Sequence, residues 1–150
     1  MAAWPITKTH TTLCLTVVCL FMIDRVLKII SLSGVKRELV NGLWFILSQN
    51  SNAAFSLKLN FNLVVLSATV ITLAIFWLYR SLRQQKIIEA IAITALILGA
   101  LSNFYDRILY GVVIDYFDLR YFTIFNVADV LIVGGAGLFL WRELFQKKAE

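Results

Sequence analysis

Aspartates are the residues of this sequence that stand out chemically, because four of the five lie close together between two strongly apolar runs. The stretch 103–129 reads NFYDRILYGVVIDYFDLRYFTIFNVAD and contains Asp106, Asp115, Asp118 and Asp129. A carboxylate at membrane depth is unfavourable unless it faces a polar interior or a partner, so this cluster indicates a functional site. The glutamates are at segment edges, in loops or at the C-terminus, and are predicted to remain in water. They are Glu38, Glu89, Glu143 and Glu150.

Asp115 and Asp129 can perform acid–base chemistry together if the fold brings their carboxyl groups close. Two carboxylates at short range do not both ionise readily, so one keeps a proton while the other stays charged. The charged member can accept a proton from water, and the neutral member can donate one to a carbonyl oxygen or a leaving amine. Spacing alone leaves proton or cation transport open, since such pathways also place aspartates in membrane spans. An ion pair with Arg107 or Lys28 is a structural use for one or two of these acids.

Other catalytic groups are scarce in this chain. His10 is the only histidine, which gives little basis for a histidine zinc site or a histidine-based triad. Cys14 and Cys19 both lie in the first apolar run, where cysteine behaves as a small hydrophobic residue and forms no metal-binding pattern. We therefore predict neither a metal ion nor a cofactor.

The composition is that of a small integral membrane protein. Hydrophobic residues make up 60% of the 150 residues and charged residues only 15%, with a mean hydropathy of +0.81. The net charge is +5, but the basic residues are scattered at the ends of apolar runs. That distribution favours membrane orientation and contact with lipid head groups, and it argues against a nucleic-acid partner.

The apolar runs predict an all-α membrane protein, with residues 1–150 as a single domain. The predicted spans are residues 10–32, 62–79, 87–105 and 124–141, the first being a retained signal anchor. Between the first two spans, alternating apolar residues predict a small extracytoplasmic β-hairpin lying on the bilayer. In the first span, Asp24 and Lys28 are four residues apart and share one helical face.

The basic residues also predict the orientation of the chain in the membrane. Arg80, Arg83 and Lys86 form one short basic loop, which should be cytoplasmic together with both termini. Asp115 then lies near the outer interface. Asp129, about five residues into the fourth span, lies about 8 Å deep at 1.5 Å per residue. Small residues in the third and fourth spans, among them glycines, predict close helix packing.

Three blocks, in this order and at this spacing, resemble those of lipoprotein signal peptidase, also called signal peptidase II. They are NSNAAFS (50–56), GALSNFYDRILYGVVIDYF (99–117) and FNVADVLI (125–132). The resemblance implies an aspartic peptidase of the bacterial inner membrane, with four transmembrane helices and no cofactor. Such an enzyme removes the signal peptide from prolipoproteins, cutting before a cysteine that carries a diacylglyceryl group. The implied partners are these substrates and membrane lipids, and the implied state is a monomer.

The same resemblance assigns roles to individual residues. Asp115 and Asp129 would be the catalytic dyad, while Asp118 matches no catalytic position and is predicted to be a solvated loop charge. The positions implied to orient the dyad or the substrate are Asp24, Lys28, Asn50, Asn103, Asp106, Arg107 and Asn126. Asn52 and Ser102 stand where the family pattern usually has glycine. The alternative is a transporter or scaffold that uses the same four-helix fold without peptidase activity.

Overall fold

The computed structural model describes residues 7–50, 60–120 and 122–146. Four α-helices and one antiparallel sheet account for most of these residues. The helices are α1 (Lys8–Leu32), α2 (Asn60–Arg83), α3 (Ile87–Tyr110) and α4 (Val127–Trp141), and a π-helical turn over Arg142–Gln146 continues α4. The strands are β1 (Arg37–Val40), β2 (Leu43–Asn50), β3 (Val113–Leu119) and β4 (Thr123–Phe125).

The mostly helical fold and the predicted hairpin between the first two helices, β1 and β2, are confirmed, but the sheet is larger than this hairpin. Its order is β1-β2-β3-β4, so the hairpin between the first two helices is joined by two strands that lie between α3 and α4. The β-branched and aromatic residues of β3 suit a strand, although the sequence was interpreted there only as an outer segment. Asp118 lies in β3 opposite Trp44 of β2 and is half-buried, so the prediction of a solvated loop charge is wrong.

Two of the helices in the described part of the chain are long and apolar enough to cross a membrane. They are residues 62–83 of α2 and the whole of α3. The fourth helix has only 15 residues before its π-helical turn. The prediction of four spans therefore remains a prediction. Residues 51–59, which include Asn52 and most of the first block, lie outside the described residues.

Helix ends explain where several singled-out residues lie. His10 completes a capping box with Thr7 at the start of α1, which gives the only histidine a structural task. The third helix ends at Gly111, whose φ of +71° favours glycine. Asp106 and Arg107 therefore lie within this helix. Residues 123–125 form β4, so α4 begins at Val127 and Asp129 lies in its first turn.

Close packing fixes α4 against α3. A side chain at Gly99 would meet the carbonyl oxygen of Ala128, and one at Gly135 would lie 2.5 Å from the carbonyl oxygen of Ala92. Gly134 has open space beside it. The predicted small-residue packing is therefore found at Gly99 and Gly135, and it brings the start of α4 close to the backbone of α3.

The far end of the helices carries a separate ionic cluster. Glu89 is buried, and its carboxylate lies 3.4 Å from Lys86 Nζ and 3.9 Å from Arg142 Nε. The prediction that Glu89 remains in water is wrong, because the basic residues expected in the loops fold back over this helix end. They provide the opposite charge that a buried carboxylate needs.

Candidate active site

Asp115 is a buried residue of β3 whose carboxylate is held by two side-chain amides. Asn126 Nδ2 donates a hydrogen bond to Oδ1 at 2.6 Å, and Asn50 Nδ2 donates one to Oδ2 at 3.1 Å. The pairing of β2 with β3 places Asn50 opposite Val113, two residues from Asp115. The sheet therefore brings Asn50 to Asp115 across 65 positions of sequence.

Asp129 is held in a similar way at the start of α4. Its Oδ1 accepts a hydrogen bond from Asn103 Nδ2 at 2.8 Å, and its Oδ2 accepts one from the backbone N–H of Asn126 at 3.3 Å. Asn126 Oδ1 in return accepts from the backbone N–H of Asp129 at 2.8 Å, which completes a capping box. Asn126 is thus hydrogen-bonded to both Asp115 and Asp129.

The environment of Asp115 favours its protonated form. Burial raises the pKa of Asp115 from its ordinary value of 3.8 to about 6, and the nearby charge of Asp129 adds to this rise. The hydrogen bonds from Asn50 and Asn126 oppose the rise because they stabilise the carboxylate. A carboxyl group that retains a proton in weakly acidic solution, beside a second carboxylate, can both donate and accept protons.

A second group of aspartates lies directly beneath this pair and is ionically paired. Lys28 Nζ lies 2.6 Å from Asp106 Oδ2 and 3.4 Å from Asp24 Oδ2. Arg25 Nη1 lies 2.7 Å from Asp106 Oδ1. Asp24, Lys28 and Asp106 are almost completely buried, so each charge depends on the others for compensation.

Asn103 connects the two groups. Its Oδ1 accepts hydrogen bonds from Lys28 Nζ at 2.8 Å and from Asn126 Nδ2 at 3.2 Å, while its Nδ2 donates to Asp129. Arg107 is half-buried one turn further along α3, and its Nη1 donates to the backbone oxygen of Asn103 at 3.4 Å. The nine residues singled out in the sequence thus lie in one connected region. Among residues 7–50, 60–120 and 122–146, no three His, Cys, Asp or Glu side chains are grouped to hold a metal ion.

Sequence reasoning missed three residues of this region. Arg25 pairs with Asp106, although it is adjacent to the singled-out Asp24 and itself interrupts an apolar run. Ser102 was noticed only as a small residue of the third span and for its position in the family pattern, and Tyr116 was not singled out. Both donate hydrogen bonds from their hydroxyl groups to Asp24. A buried hydroxyl near an aspartate gives no periodic signal, so only the fold reveals these contacts.

Comparison with known proteins defines a class that agrees with this geometry, a membrane peptidase of the aspartic type. The family model described as signal peptidase (SPase) II matches residues 16–145, and the chain belongs to this family. The resemblance predicted from the three sequence blocks, and the prediction that the chain is a peptidase, are confirmed.

Relatives named lipoprotein signal peptidase align over much of the chain. The one from Teredinibacter turnerae is 40% identical over 114 residues, which cover 69% of this chain and 67% of that protein. The one from Syntrophomonas wolfei is 36% identical over 116 residues, covering 76% and 77%. The one from Moorella thermoacetica is 35% identical over 96 residues, covering 63% of this chain and 64% of the relative. The alignments thus span roughly two thirds to three quarters of these relatives.

Two solved structures have a similar fold, and both are described as bacterial membrane enzymes determined by the in meso method. One has a TM-score of 0.78 at 24% identity and covers 99% of this chain and 94% of its own, a likeness that concerns the fold alone. The other has a TM-score of 0.77 at 25% identity and covers 97% and 98%. The helices and the sheet together therefore form a known membrane-enzyme fold.

Proposed function

We propose that this chain is an aspartic endopeptidase that removes the signal peptide from diacylglyceryl-modified bacterial prolipoproteins, cutting before the lipid-modified cysteine. The substrate class follows from the family and from the names of the relatives. One observation supports the catalytic role most strongly. Asp115 and Asp129, from different elements, are both hydrogen-bonded to the same Asn126 and are otherwise held by neutral amides.

In the proposed reaction, the two carboxyl groups share one proton and hold the attacking water. The ionised member takes a proton from water as the oxygen attacks the scissile carbonyl carbon. The neutral member protonates the carbonyl oxygen, and a proton then passes to the leaving amine as the peptide C–N bond breaks. The raised pKa of Asp115 supports its role as the carboxyl that carries the shared proton. We treat the two as a coupled pair, because the proton belongs to both.

Neighbouring groups have supporting roles in this proposal. Asn126 fixes the separation of the two carboxyl groups. Asn50 donates to Oδ2 of Asp115, and Asn103 donates to Oδ1 of Asp129. Arg107 lies half-buried beside Asn103 and offers a cation to the peptide backbone of the substrate. Asp24, Lys28 and Asp106 stabilise the region beneath the dyad. No cofactor takes part in the proposed reaction.

The proposed location is the bacterial inner membrane, with both termini in the cytoplasm and the site near the outer face. The basic residues at the end of α2, Arg80 and Arg83, support this orientation. Reporters inserted at Gln84 and at Ser48 test it directly. We expect the reporter at Gln84 to be cytoplasmic and the one at Ser48 to be outside, and the reverse pattern would overturn the orientation.

The decisive experiment is cleavage of a diacylglyceryl-modified prolipoprotein by the purified chain. We expect Asp115→Asn and Asp129→Asn each to lower the rate by about 100-fold to 10,000-fold, the range for removal of a general acid or base. Asp118→Asn is the matched control, since it changes an aspartate of the same strand that lies outside the dyad. All variants should be folded, as judged by elution at the wild-type position in size-exclusion chromatography.

Two results would count against the proposal. Cleavage that survives either dyad substitution would exclude the assigned mechanism. A folded wild-type chain that fails on a substrate processed by a relative would favour the transporter or scaffold alternative. Proton-coupled flux in vesicles, lost in Asp129→Asn, would then identify a transporter.

A further inference from the structure

Asp24 of α1 is completely buried, and its carboxylate contacts the start of α4 directly. Its Oδ1 accepts a hydrogen bond from the backbone N–H of Ala128 at 3.0 Å and from the hydroxyl of Tyr116 at 2.8 Å. Its Oδ2 accepts from the hydroxyl of Ser102 at 2.5 Å and lies 3.4 Å from Lys28 Nζ. Two neutral hydroxyl groups thus hold this carboxylate, one on each oxygen.

The hydroxyl of Tyr116 also contacts α4 itself. It accepts a hydrogen bond from the backbone N–H of Val127 at 2.9 Å while donating to Asp24. Tyr116 is completely buried, and burial together with the charge of Asp24 raises the pKa of its phenol above the ordinary value. The phenol therefore keeps its proton near neutral pH and remains a donor to Asp24.

Together these contacts satisfy the whole first turn of α4. The N–H groups at the start of a helix have no partners within that helix. Here the N–H of Val127 donates to Tyr116, that of Ala128 donates to Asp24, and that of Asp129 donates to Asn126. Each acceptor is a side chain from outside the helix. The position of Asp129 is therefore set by these three acceptors.

Ser102 provides the second link to Asp24. Its hydroxyl donates to Asp24 Oδ2 and accepts from Arg25 Nη1 at 3.0 Å, so it joins the carboxylate to the cationic cluster of α1 and α3. The residue is buried, and its backbone lies directly before Asn103, which donates to Asp129. Ser102 thus lies next to Asn103, which holds Asp129, and hydrogen-bonds to Asp24, which holds Ala128 in the first turn of α4.

We propose that Tyr116 and Ser102 are positioning residues, which act through Asp24 to hold the first turn of α4 and thereby place Asp129 opposite Asp115. The inference rests on the proposed function for its catalytic consequence. Neither hydroxyl takes part in the reaction. Because a displacement of about 1 Å can lower a reaction rate by about 100-fold, removal of one hydroxyl should reduce kcat without any loss of a reacting group.

The test uses substitutions that delete only the hydroxyl group. Tyr116→Phe keeps the ring that packs against Phe45, and Ser102→Ala keeps a small side chain between α1 and α3. The matched controls are Tyr79→Phe, at an exposed tyrosine near the C-terminal end of α2, and Ser67→Ala, whose hydroxyl donates to the backbone oxygen of Leu63 in the same helix. We expect kcat to fall about 10-fold to 100-fold for Tyr116→Phe and less for Ser102→Ala, with KM unchanged within about twofold. Both controls should match wild type.

A second readout does not depend on activity. Hydrogen exchange of the backbone amides of Val127 and Ala128 should accelerate in Tyr116→Phe. The substitution removes the hydroxyl that accepts from Val127, and it removes the donor that holds Asp24, the acceptor for Ala128. If the wild-type chain does not cleave the substrate but exchange is still faster in Tyr116→Phe, the positioning role stands and only the proposed function is refuted. Unchanged exchange would overturn the positioning role itself.

The pH profile separates positioning from a general loss of stability. If Asp129 moves away from Asp115, the repulsion between them weakens, and the alkaline limb of the kcat profile should move to lower pH. Loss of folded protein would lower the whole profile without moving its limbs. A fall in kcat with an unmoved profile, or no fall at all, would therefore contradict the inference. In the double variant, the fold-decrease in kcat should be smaller than the product of the two single fold-decreases, because both hydroxyls act on Asp24.

Discussion

Two neighbouring pairs of aspartates in this molecule have different partners. Asp24 and Asp106 lie against the cations Lys28 and Arg25 at 2.6–3.4 Å. Asp115 and Asp129 accept hydrogen bonds from asparagine amides, and among the residues that the structure describes neither has a cation within ion-pair distance. Burial is common to most of these residues, so it does not distinguish the pairs.

The difference in partners separates the ion-paired carboxylates from the two that we propose to be catalytic. A cation in direct contact compensates the charge of a buried carboxylate. An amide donor orients the carboxylate and lowers its proton affinity only in part, so burial still raises the pKa of Asp115. The two pairs should therefore respond differently to the same change, aspartate to asparagine.

The largest expected effect on stability is at Asp106. Asp106→Asn removes the carboxylate that compensates the charges of Arg25 and Lys28. Removing one partner of a buried ion pair lowers the free energy of unfolding by about 3–5 kcal/mol. Thermal unfolding in detergent should show a strongly lowered Tm, with Asp118→Asn as the control. A Tm close to that of wild type would show that the cations are compensated by other groups and would remove the distinction between the pairs.

The next effect is on activity, at the residue that joins the reactive pair. Asn126→Ala removes the amide that holds Asp115 and the cap that holds Asp129, so we expect kcat to fall by about 100-fold or more. Loss of the cap should cost about 1 kcal/mol of stability, much less than Asp106→Asn. Asn41→Ala, in the exposed turn between β1 and β2, is the control. Full activity of Asn126→Ala would mean that the sheet and α4 place the carboxyl groups without a shared amide.

Asp115→Asn should change stability in the opposite direction from Asp106→Asn. The pKa of Asp115 is about 6 in the folded chain and 3.8 ordinarily, so the folded state binds more protons than the unfolded state between these pH values. Stability must then fall as pH rises through this window, and the asparagine variant escapes that loss. We expect Asp115→Asn to be more stable than wild type by about 2 kcal/mol at pH 7.5 and no more stable below pH 4.

Denaturant titration at the two pH values measures this difference. A variant that is destabilised more at pH 7.5 than below pH 4 would show that the fold favours the carboxylate form of Asp115. The contrast between the two pairs would then be lost.

The smallest expected effect concerns the helix packing that both pairs share. Gly135→Ala places a methyl group against the backbone of Ala92 and Leu96, whereas Gly134→Ala points into open space. Overpacking should cost Gly135→Ala at least about 1 kcal/mol. Gly134→Ala should match or exceed wild-type stability, since alanine is the better helix former. Equal Tm values for the two variants would contradict the close approach of α3 and α4.

The sequence predicts the helices and the site residues better than it predicts the sheet. Long apolar runs indicate α2 and α3 directly, and the spacing of Asp24 and Lys28 predicts their shared face. The strands β3 and β4 are short. β3 depends on pairing with β2, some 65 positions earlier, which no local pattern reveals, and β4 pairs in turn with β3. For this reason the predicted fourth span begins at residue 124, whereas α4 begins at Val127 and residues 123–125 form β4.

The site could be predicted as a set of residues but not as two pairs with different partners. Asparagine and aspartate side chains in apolar surroundings indicate function wherever they occur. The rotation of each helix about its axis decides which carboxylate contacts a cation. Arg25, for example, contacts Asp106, which is 81 positions away in the sequence. The hydroxyls of Tyr116 and Ser102 contribute through contacts of similar sequence separation.

The hydrogen bond from Ala128 to Asp24 also has a consequence for biosynthesis. The two residues are 104 positions apart, and the other partners of Asp24 outside α1, Ser102 and Tyr116, are 78 and 92 positions away. A ribosome-bound chain therefore emerges with the charged face of α1 incomplete, and Asp24 and Lys28 have only each other until α3 is made. The proposed dyad is completed only after the start of α4 has been synthesised. A newly made chain thus acquires its proposed catalytic centre only once synthesis has passed Asp129, long after α1 has emerged.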